Sequence, residues 1–291
     1  MSTAPKTALI TGGASGIGLS MARHFAAEGY NVAVLDVNAE GGEHAIANDI
    51  IPVVAKRGAE VGKPKAVFKK CDVSSWQSQA DAFKAVYAEF GRIDVVCANA
   101  GIGEGSQGKS ALAMVEEGDG EEPQEPGLRI LNVNLDGVVY SVKLAIHYMN
   151  KNQPSSNGSR GSIITTASNA GLYPFPVSPI YAAAKAGVIA LVRSMARILE
   201  PRKIQINALA PAVLVTNIAP SQSLFDGMIV TPHSTLVEGV VQLVSDPALS
   251  GQVAEIHGER VTFRPPYEFV DEDSKKNLEH FWSLAQACVS V

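Results

Sequence analysis

A short apolar run, "TALIT" at 7–11, ends in "TGGASGIG", and the residues beyond it carry a helical period. This junction limits what the chain can fold into. Gly12, Gly16 and Gly18 of the G-x-x-x-G-x-G pattern each remove a side chain where a strand turns abruptly into a helix. Gly12 permits a tight turn with positive φ, Gly16 lets backbone approach a diphosphate, and Gly18 lets the helix pack close to the strand. Free N–H groups and the positive dipole end at the helix start then favour an anion. The pattern alone also fits a structural βα turn without a ligand; its position between strand and helix favours the phosphate reading.

The same alternation continues along the chain. Apolar runs at 7–11, 31–36, 66–72, 93–99, 161–168, 204–210 and 252–258 read as strands, and helical periods lie near 16–28, 39–50, 75–90, 126–151, 179–200 and 233–245. This is the rhythm of βα units around a parallel sheet. Two stretches, 101–127 and 150–161, read as loops, and the first leaves a strand end beside the expected ligand crevice.

With 291 residues, 46% of them hydrophobic, the chain can bury one large core. A net charge of −5 without a Lys/Arg cluster excludes a phosphate-backbone or anionic-lipid surface, so no nucleic acid and no membrane partner is expected. No apolar run approaches a span, and the N-terminus lacks a signal-peptide core. Cys71, Cys97 and Cys288 are odd in number and form no C-x-x-C pair, as suits reduced thiols in a cytoplasmic protein. The six histidines have no metal-ligand spacing, so no metal is expected.

About twenty residues after the glycines, Asp36 ends the second strand. A carboxylate there can accept from both ribose hydroxyls of an adenosine and repels a 2′-phosphate, which selects NAD over NADP; no Arg or Lys lies near it in "LDVNAEGG". A solvated strand-end acid is the alternative. Asp72, in "CDVSS", suits either an adenine edge or the start of the next helix. Tyr181 and Lys185, in "SPIYAAAKAG", stand at i and i+4 on one helix face and address one small volume. A cation beside a phenol favours the phenolate, which would suit Tyr181 for proton transfer. Packing is the alternative for the Tyr, a surface position for the Lys, and a turn cap for Ser168.

Taken in order, Thr11–Gly18, Asp72, Ala98-Asn99-Ala100-Gly101, Asn134, Ser168, Tyr181-x-x-x-Lys185 and Asn207 with Pro211 resemble the short-chain dehydrogenase/reductase family over residues 5–260. The segments "SVKLAIHYMNKN", "YAAAKAGVIALVRSMA" and "ALSGQVAEIHG" resemble its hydroxyprostaglandin dehydrogenase-like branch. The resemblance implies an α/β fold, a Rossmann-type doubly wound parallel sheet of about seven strands with helices on both faces. It implies one NAD-binding domain over 1–260 and a C-terminal extension over 261–291. For the site it implies catalysis by Asn134, Ser168, Tyr181 and Lys185, with Ser168 aligning the substrate oxygen and Asn134 positioning a proton-relay water. Cofactor contacts are implied at Gly12, Ser15, Gly16, Ile17, Gly18, Asp36, Asp72, Val73, Asn99, Tyr181, Lys185, Val213 and Thr216. One departure stands out: Pro211-Ala212 replaces the usual Pro-Gly, and Ala would be strained if that turn needs positive φ.

These features favour NAD-dependent oxidation of a bulky, largely apolar secondary alcohol. An NADPH-dependent carbonyl reductase and a non-redox binding or cyclase-like protein are the alternatives. Segments 170–179 and 217–230, apolar and poor in charge, are the expected substrate walls. The family's four-helix packing implies a homodimer or homotetramer, with Leu131, Val138, Val142, Val188, Leu191 and Met195 on the two long helices. In the extension, Pro265 and Pro266 end the sheet, and Leu278, Phe281, Trp282 and Ala285 share a helix face that would either pack on the outer surface or cover the substrate mouth.

Overall fold

The protein was analysed as a computed structural model that describes residues 4–56, 65–103, 125–216, 218 and 222–289. Eight strands form one sheet in the order β3-β2-β1-β4-β5-β6-β7-β8. They are β1 (Thr7–Thr11), β2 (Asn31–Asp36), β3 (Ala66–Lys70), β4 (Val95–Ala98), β5 (Gly161–Thr166), β6 (Ile204–Pro211), β7 (Val253–His257) and β8 (Arg260–Phe263). The first seven run parallel, as the alternating pattern predicts, and β8 returns antiparallel along β7. The sequence reading missed this eighth strand. Its four residues alternate weakly and stay half exposed, so they leave no apolar run to detect.

The α-helices among the described residues are α1 (Gly16–Ala27), α2 (Ala39–His44), α3 (Ile51–Lys56), α4 (Trp76–Phe90), α5 (Arg129–Leu131), α6 (Gly137–Met149), α7 (Pro179–Leu199), α8 (His233–Ser245) and α9 (Glu272–Val289). A π-turn, Ala45–Ile50, joins α2 to α3, and a second, Asn132–Asp136, joins α5 to α6. The central strands are buried on both faces and split the core in two. One cluster packs Leu9, Leu35, Phe83, Ile163 and Val188 under α4, α6 and α7; the other packs Ile10, Phe25, Val34, Leu236 and Ile256 under α1 and α8. Strand order reverses between β1 and β4, which opens a crevice at the carboxyl ends of the strands.

Two expectations change with the packing. Val138, Val142 and Val188, expected at a subunit interface, lie in the core, and only Leu131, Leu191 and Met195 keep partial exposure. These helices bury valine toward the sheet, as amphipathic helices on a sheet do. In the extension, the acidic start of α9 is as expected, with Asp271 Oδ1 accepting from the Ser274 amide at 2.7 Å. Trp282 stacks under the Arg197 guanidinium, 4.8 Å from its centre, at the end of α7 far from Tyr181. Leu278, Phe281 and Leu284 remain exposed, so within this chain the helix packs on the outer surface and does not cover the Tyr181 end.

Gln79 carries a disproportionate share of the packing of α4 on α6. It is wholly buried, donates to the carbonyls of Val73 (2.7 Å) and Gly137 (2.8 Å), and accepts from Ser141 Oγ (2.8 Å). Gln79→Leu keeps the volume but removes the donor to the Val73 carbonyl, while Ser141 Oγ still donates to the Gly137 carbonyl (2.9 Å). Stability to urea should fall by about 1–3 kcal/mol; an unchanged midpoint would show that the network contributes nothing net.

Candidate active site

The glycine turn is built as its spacing predicts. Gly12 (φ 63°) and Gly16 (φ 51°) occupy left-handed backbone, where other residues are strained. At Gly18 a Cβ would fall 2.1 Å from the Gly12 carbonyl oxygen, so helix and turn can approach only with glycine there. Ser15 precedes α1 in extended conformation with no side-chain cap, and Ile17 packs beside the second core cluster. Together these residues form a concave, amide-lined turn at the start of a twelve-residue helix, which fits a diphosphate.

Asp36 ends β2 in the crevice, its carboxylate accepting from the amides of Ala14 (3.1 Å) and Asn38 (3.0 Å). The sheet adds a group that linear proximity hid: Lys70 on β3 is the register partner of Asp36 and is exposed. Asp72 is exposed and accepts from the amide (2.9 Å) and hydroxyl (2.7 Å) of Ser74, in the turn that leads into α4, whereas the helix itself is capped by Ser75, whose Oγ accepts from the Ser78 amide (3.3 Å). Val73 is buried against Gly137.

Asn99 joins three strands. Its amide nitrogen donates to the carbonyls of Thr11 (3.1 Å) and Gly12 (3.3 Å), and its oxygen accepts from Thr166 Oγ1 (3.0 Å). The Thr11 hydroxyl in turn accepts from the amides of Asn99 (2.9 Å) and Ala100 (3.1 Å). The side chain of Asn99 therefore shapes the glycine turn from behind. The sequence shows Thr11 only as the head of the Thr11–Gly18 run and does not single out Thr166, since a strand threonine has no signal of its own.

Asn134 lies in the second π-turn, wholly buried, with its side chain bonded twice to Ile102: Oδ1 accepts from the amide (2.8 Å) and Nδ2 donates to the carbonyl (2.9 Å). Widened turns of this kind interrupt the regular backbone ladder and recur at functional sites. Gly101 sits against both Asn134 and Lys185, where a Cβ would lie 3.3 Å from Asn134 Oδ1 and 3.5 Å from Lys185 Nζ. The Tyr181 phenol hydrogen bonds with the Ser168 hydroxyl, and Lys185 Nζ stands 5.6 Å from the phenol ring. Ser168, Tyr181, Lys185 and Asn134 thus converge at the crevice, beside the glycine turn.

The electrostatics differ from the sequence expectation. The Lys185 ammonium is buried, donates to the Thr166 carbonyl (2.7 Å), and is brought down to about 8 by desolvation. Burial also raises the Tyr181 phenol above its ordinary value, opposed only by the Ser168 hydrogen bond. In the polypeptide, desolvation outweighs the help expected from the neighbouring cation.

Pro211-Ala212 is also clarified. Among the described residues Lys203 alone of the non-glycines has positive φ, so Ala212 is unstrained; its amide donates to the Ile256 carbonyl at 2.8 Å. Val213 accepts from the Thr231 amide (2.7 Å), and Thr216 lies over Gly16, 3.4 Å from where a Cβ would stand.

On the substrate side, Tyr173, Phe175 and Val177 are exposed, with the Phe175 ring 6.4 Å from that of Tyr181. Tyr173 Oη donates to Glu255 (2.9 Å), Glu255 pairs with Arg264 (3.5 Å), and Arg193 donates to the carbonyls of Arg264 (3.1 Å) and Pro265 (2.9 Å). The loop after Ser168 is thereby tied to the chain's exit from the sheet, through pairs too distant in sequence to be read together. In the second expected wall, Met228, Ile229 and Val230 are exposed, while Asn217 and residues 219–221 lie outside the described residues, as do residues 104–124 of the acidic loop. Among the described residues no group of His, Cys, Asp and Glu could hold a metal ion, and no helix is long and apolar enough to cross a membrane.

The comparisons agree with this geometry. A family model described as short chain dehydrogenase matches residues 6–225. The chain is 36% identical over 215 residues to short-chain dehydrogenase/reductase prx4 of Penicillium roqueforti, a match covering 74% of this chain and 56% of that protein, so the chain spans little more than half of that relative. It is 29% identical over 271 residues to the human 15-hydroxyprostaglandin dehydrogenase [NAD(+)], covering 86% of this chain and 90% of that protein. Among solved structures it is similar to a 3-ketoacyl-(acyl-carrier-protein) reductase from Brucella melitensis complexed with NADH, with TM-score 0.69 and 28% identity over 89% of this chain and 99% of the other.

The buried Lys185 yields a pH prediction. Its folded value, about 8, lies below the usual 10.5, so between these values the unfolded chain holds the proton that the folded chain has released. This group's contribution to stability therefore rises from about pH 8 toward about pH 10.5 and is lost as pH falls through about 8. The urea midpoint of the unmodified protein should gain more between about pH 7.5 and about pH 9.5 than that of Lys185→Met. Superimposable pH profiles would contradict the assignment.

Proposed function

The chain belongs to the short chain dehydrogenase family, whose chemistry is NAD(P)-dependent oxidation and reduction, and from that premise we propose that it oxidises a secondary alcohol on a bulky, largely apolar small molecule with NAD. One observation carries this reading: the Tyr181 phenol, bonded to Ser168 and one turn from Lys185, opens onto the crevice whose other wall is the glycine turn. NAD, when bound, supplies the hydride acceptor. The chain's own residues handle the oxygen and its proton. Ser168 donates to the substrate oxygen and holds it in line, and Tyr181, as the phenolate, takes the hydroxyl proton. Lys185 keeps its ammonium within reach of the phenol ring, which favours the deprotonated phenol during that transfer. Asn134, with its side chain committed to Ile102, would act in a proton relay through its backbone in the widened turn.

Asp36 supports NAD, because its carboxylate would accept ribose hydroxyls and repel a 2′-phosphate. The exposed apolar side chains of Tyr173, Phe175, Val177 and Met228 support an apolar substrate, and the 29% identity to a hydroxyprostaglandin dehydrogenase is consistent with a lipid or ring-bearing alcohol. Lys70 beside Asp36 favours a second reading, a carbonyl reductase using NADPH, since an ammonium there could meet a 2′-phosphate. A homo-oligomer remains the proposal for assembly, resting on the exposed remainder of α5 to α7.

Two measurements test the reading. NAD should exceed NADP in kcat/KM by roughly a hundredfold, the scale of about 3 kcal/mol from charged hydrogen bonds. Asp36→Ala should narrow that ratio and Lys70→Ala should widen it; equal kcat/KM values in the unmodified protein would favour the reductase. Tyr181→Phe should lower turnover of a responsive alcohol by roughly a thousandfold while NADH fluorescence titration stays near normal. Retained turnover would mean that another group moves the proton.

A further inference from the structure

His233, the first residue of α8, lies outside every motif considered above, yet it bridges the two sides of the cofactor crevice. Its Nδ1 stands 2.7 Å from Ser20 Oγ on α1, and its Nε2 stands 3.1 Å from the Val215 carbonyl. Ser20 Oγ also reaches back 3.1 Å to the carbonyl of Gly16, in the glycine turn. Val215 directly precedes Thr216, which lies over Gly16. One imidazole thus connects the turn that fits the diphosphate with the segment that closes over it.

The rest of that segment is anchored differently. Its beginning is fixed by the Ala212 amide to the Ile256 carbonyl on β7 and by the Thr231 amide, just ahead of α8, to the Val213 carbonyl. Val215 is 40% exposed, and its carbonyl meets the His233 ring. A carbonyl can only accept, so Nε2 must carry a proton. The Nδ1 side adapts to either charge state: a neutral ring accepts from the Ser20 hydroxyl, whereas a protonated ring donates to Ser20 while that hydroxyl turns to Gly16. The bond to Val215 persists in both.

We infer that His233 is a positioning residue that holds Val215 and Thr216 over the Gly16 turn and thereby sets the closure of segment 213–216 on the dinucleotide. This rests on the NAD-binding reading of the crevice. It assigns His233 no contact with the reacting atoms, so its loss should weaken cofactor binding and leave the chemical step intact.

The test compares His233→Phe, which keeps a ring and loses both bonds, with His233→Gln, which can still donate to Val215, and with Ser20→Ala. NADH dissociation constants and NAD KM should rise roughly tenfold in His233→Phe. Values in His233→Gln should return most of the way, and Ser20→Ala should give a smaller loss. Turnover at saturating NAD and the alcohol KM should change less than twofold throughout. Hydrogen exchange of the cofactor-free protein should be faster in the peptide carrying 213–216 in His233→Phe and near normal in His233→Gln. Unchanged NADH affinity in folded His233→Phe, or unchanged exchange in that peptide, would overturn the inference. Failure of the unmodified protein to bind NADH or NADPH would instead overturn the reading of the crevice, and the exchange measurement would still decide whether His233 holds the segment.

Discussion

A chain of hydrogen bonds across the carboxyl ends of three strands holds the crevice in shape. The Gly12 carbonyl accepts from Asn99, Asn99 accepts from the Thr166 hydroxyl, and the Thr166 carbonyl accepts from Lys185. Strands β1, β4 and β5 are neighbours here, and where their paired backbone ends, polar groups at the mouth still require partners. Side chains supply them. The glycine turn and the Lys185 ammonium thus belong to one network, which fixes the spacing between the glycine-turn side of the crevice and the side that carries Tyr181 and Lys185.

The network explains which parts of the molecule could be read from residues alone. Strand and helix positions followed from apolar period, because β1, β2, β5 and β6 are buried on both faces and α1, α4, α7 and α8 on one. The glycine turn was legible because glycine adopts φ near 60° without strain and because only glycine allows the 2.1 Å approach at Gly18. Tyr181 and Lys185 were legible through helix spacing. Other contributors were hidden because their partners lie far along the chain: Thr166 bonds to Asn99, 67 residues away; Lys70 meets Asp36 only through strand register; and His233 reaches Ser20 across 213 residues. Short β8 and the split of Val138 and Val188 into the core depended on packing that no local pattern encodes.

Desolvation is the part that helix spacing misjudged. The i, i+4 argument brings a cation to the phenol but ignores what both groups lose on leaving water. Lys185 is 2% exposed and donates to the Thr166 carbonyl, a dipole rather than a counter-charge. Its ammonium therefore becomes easier to deprotonate, and the phenol harder. Nearby charge and burial act in opposite directions on Tyr181, and in the polypeptide burial prevails.

That balance bears on why such a pair is kept at all. A buried lysine without a carboxylate destabilises a fold, and an apolar residue of similar length on α7 would pack against Gly101 and Asn134 at lower cost. Sites that break the rules of packing in this way tend to be those held for function. The surroundings fit that view: the Asn134 side chain is turned away toward Ile102, Gly101 has no side chain to crowd the ammonium, and the widened turn at Asn132–Asp136 interrupts the backbone ladder beside it. Each of these features leaves space or bonding capacity around Lys185 that a purely structural helix contact would have filled. Burial also sets the two groups apart: the Lys185 ammonium, brought from 10.5 to about 8, gives up a proton more readily than the phenol, which burial raises above its ordinary 10.0. The stronger hold on a proton therefore lies with Tyr181, as the proposed transfer from the substrate oxygen requires.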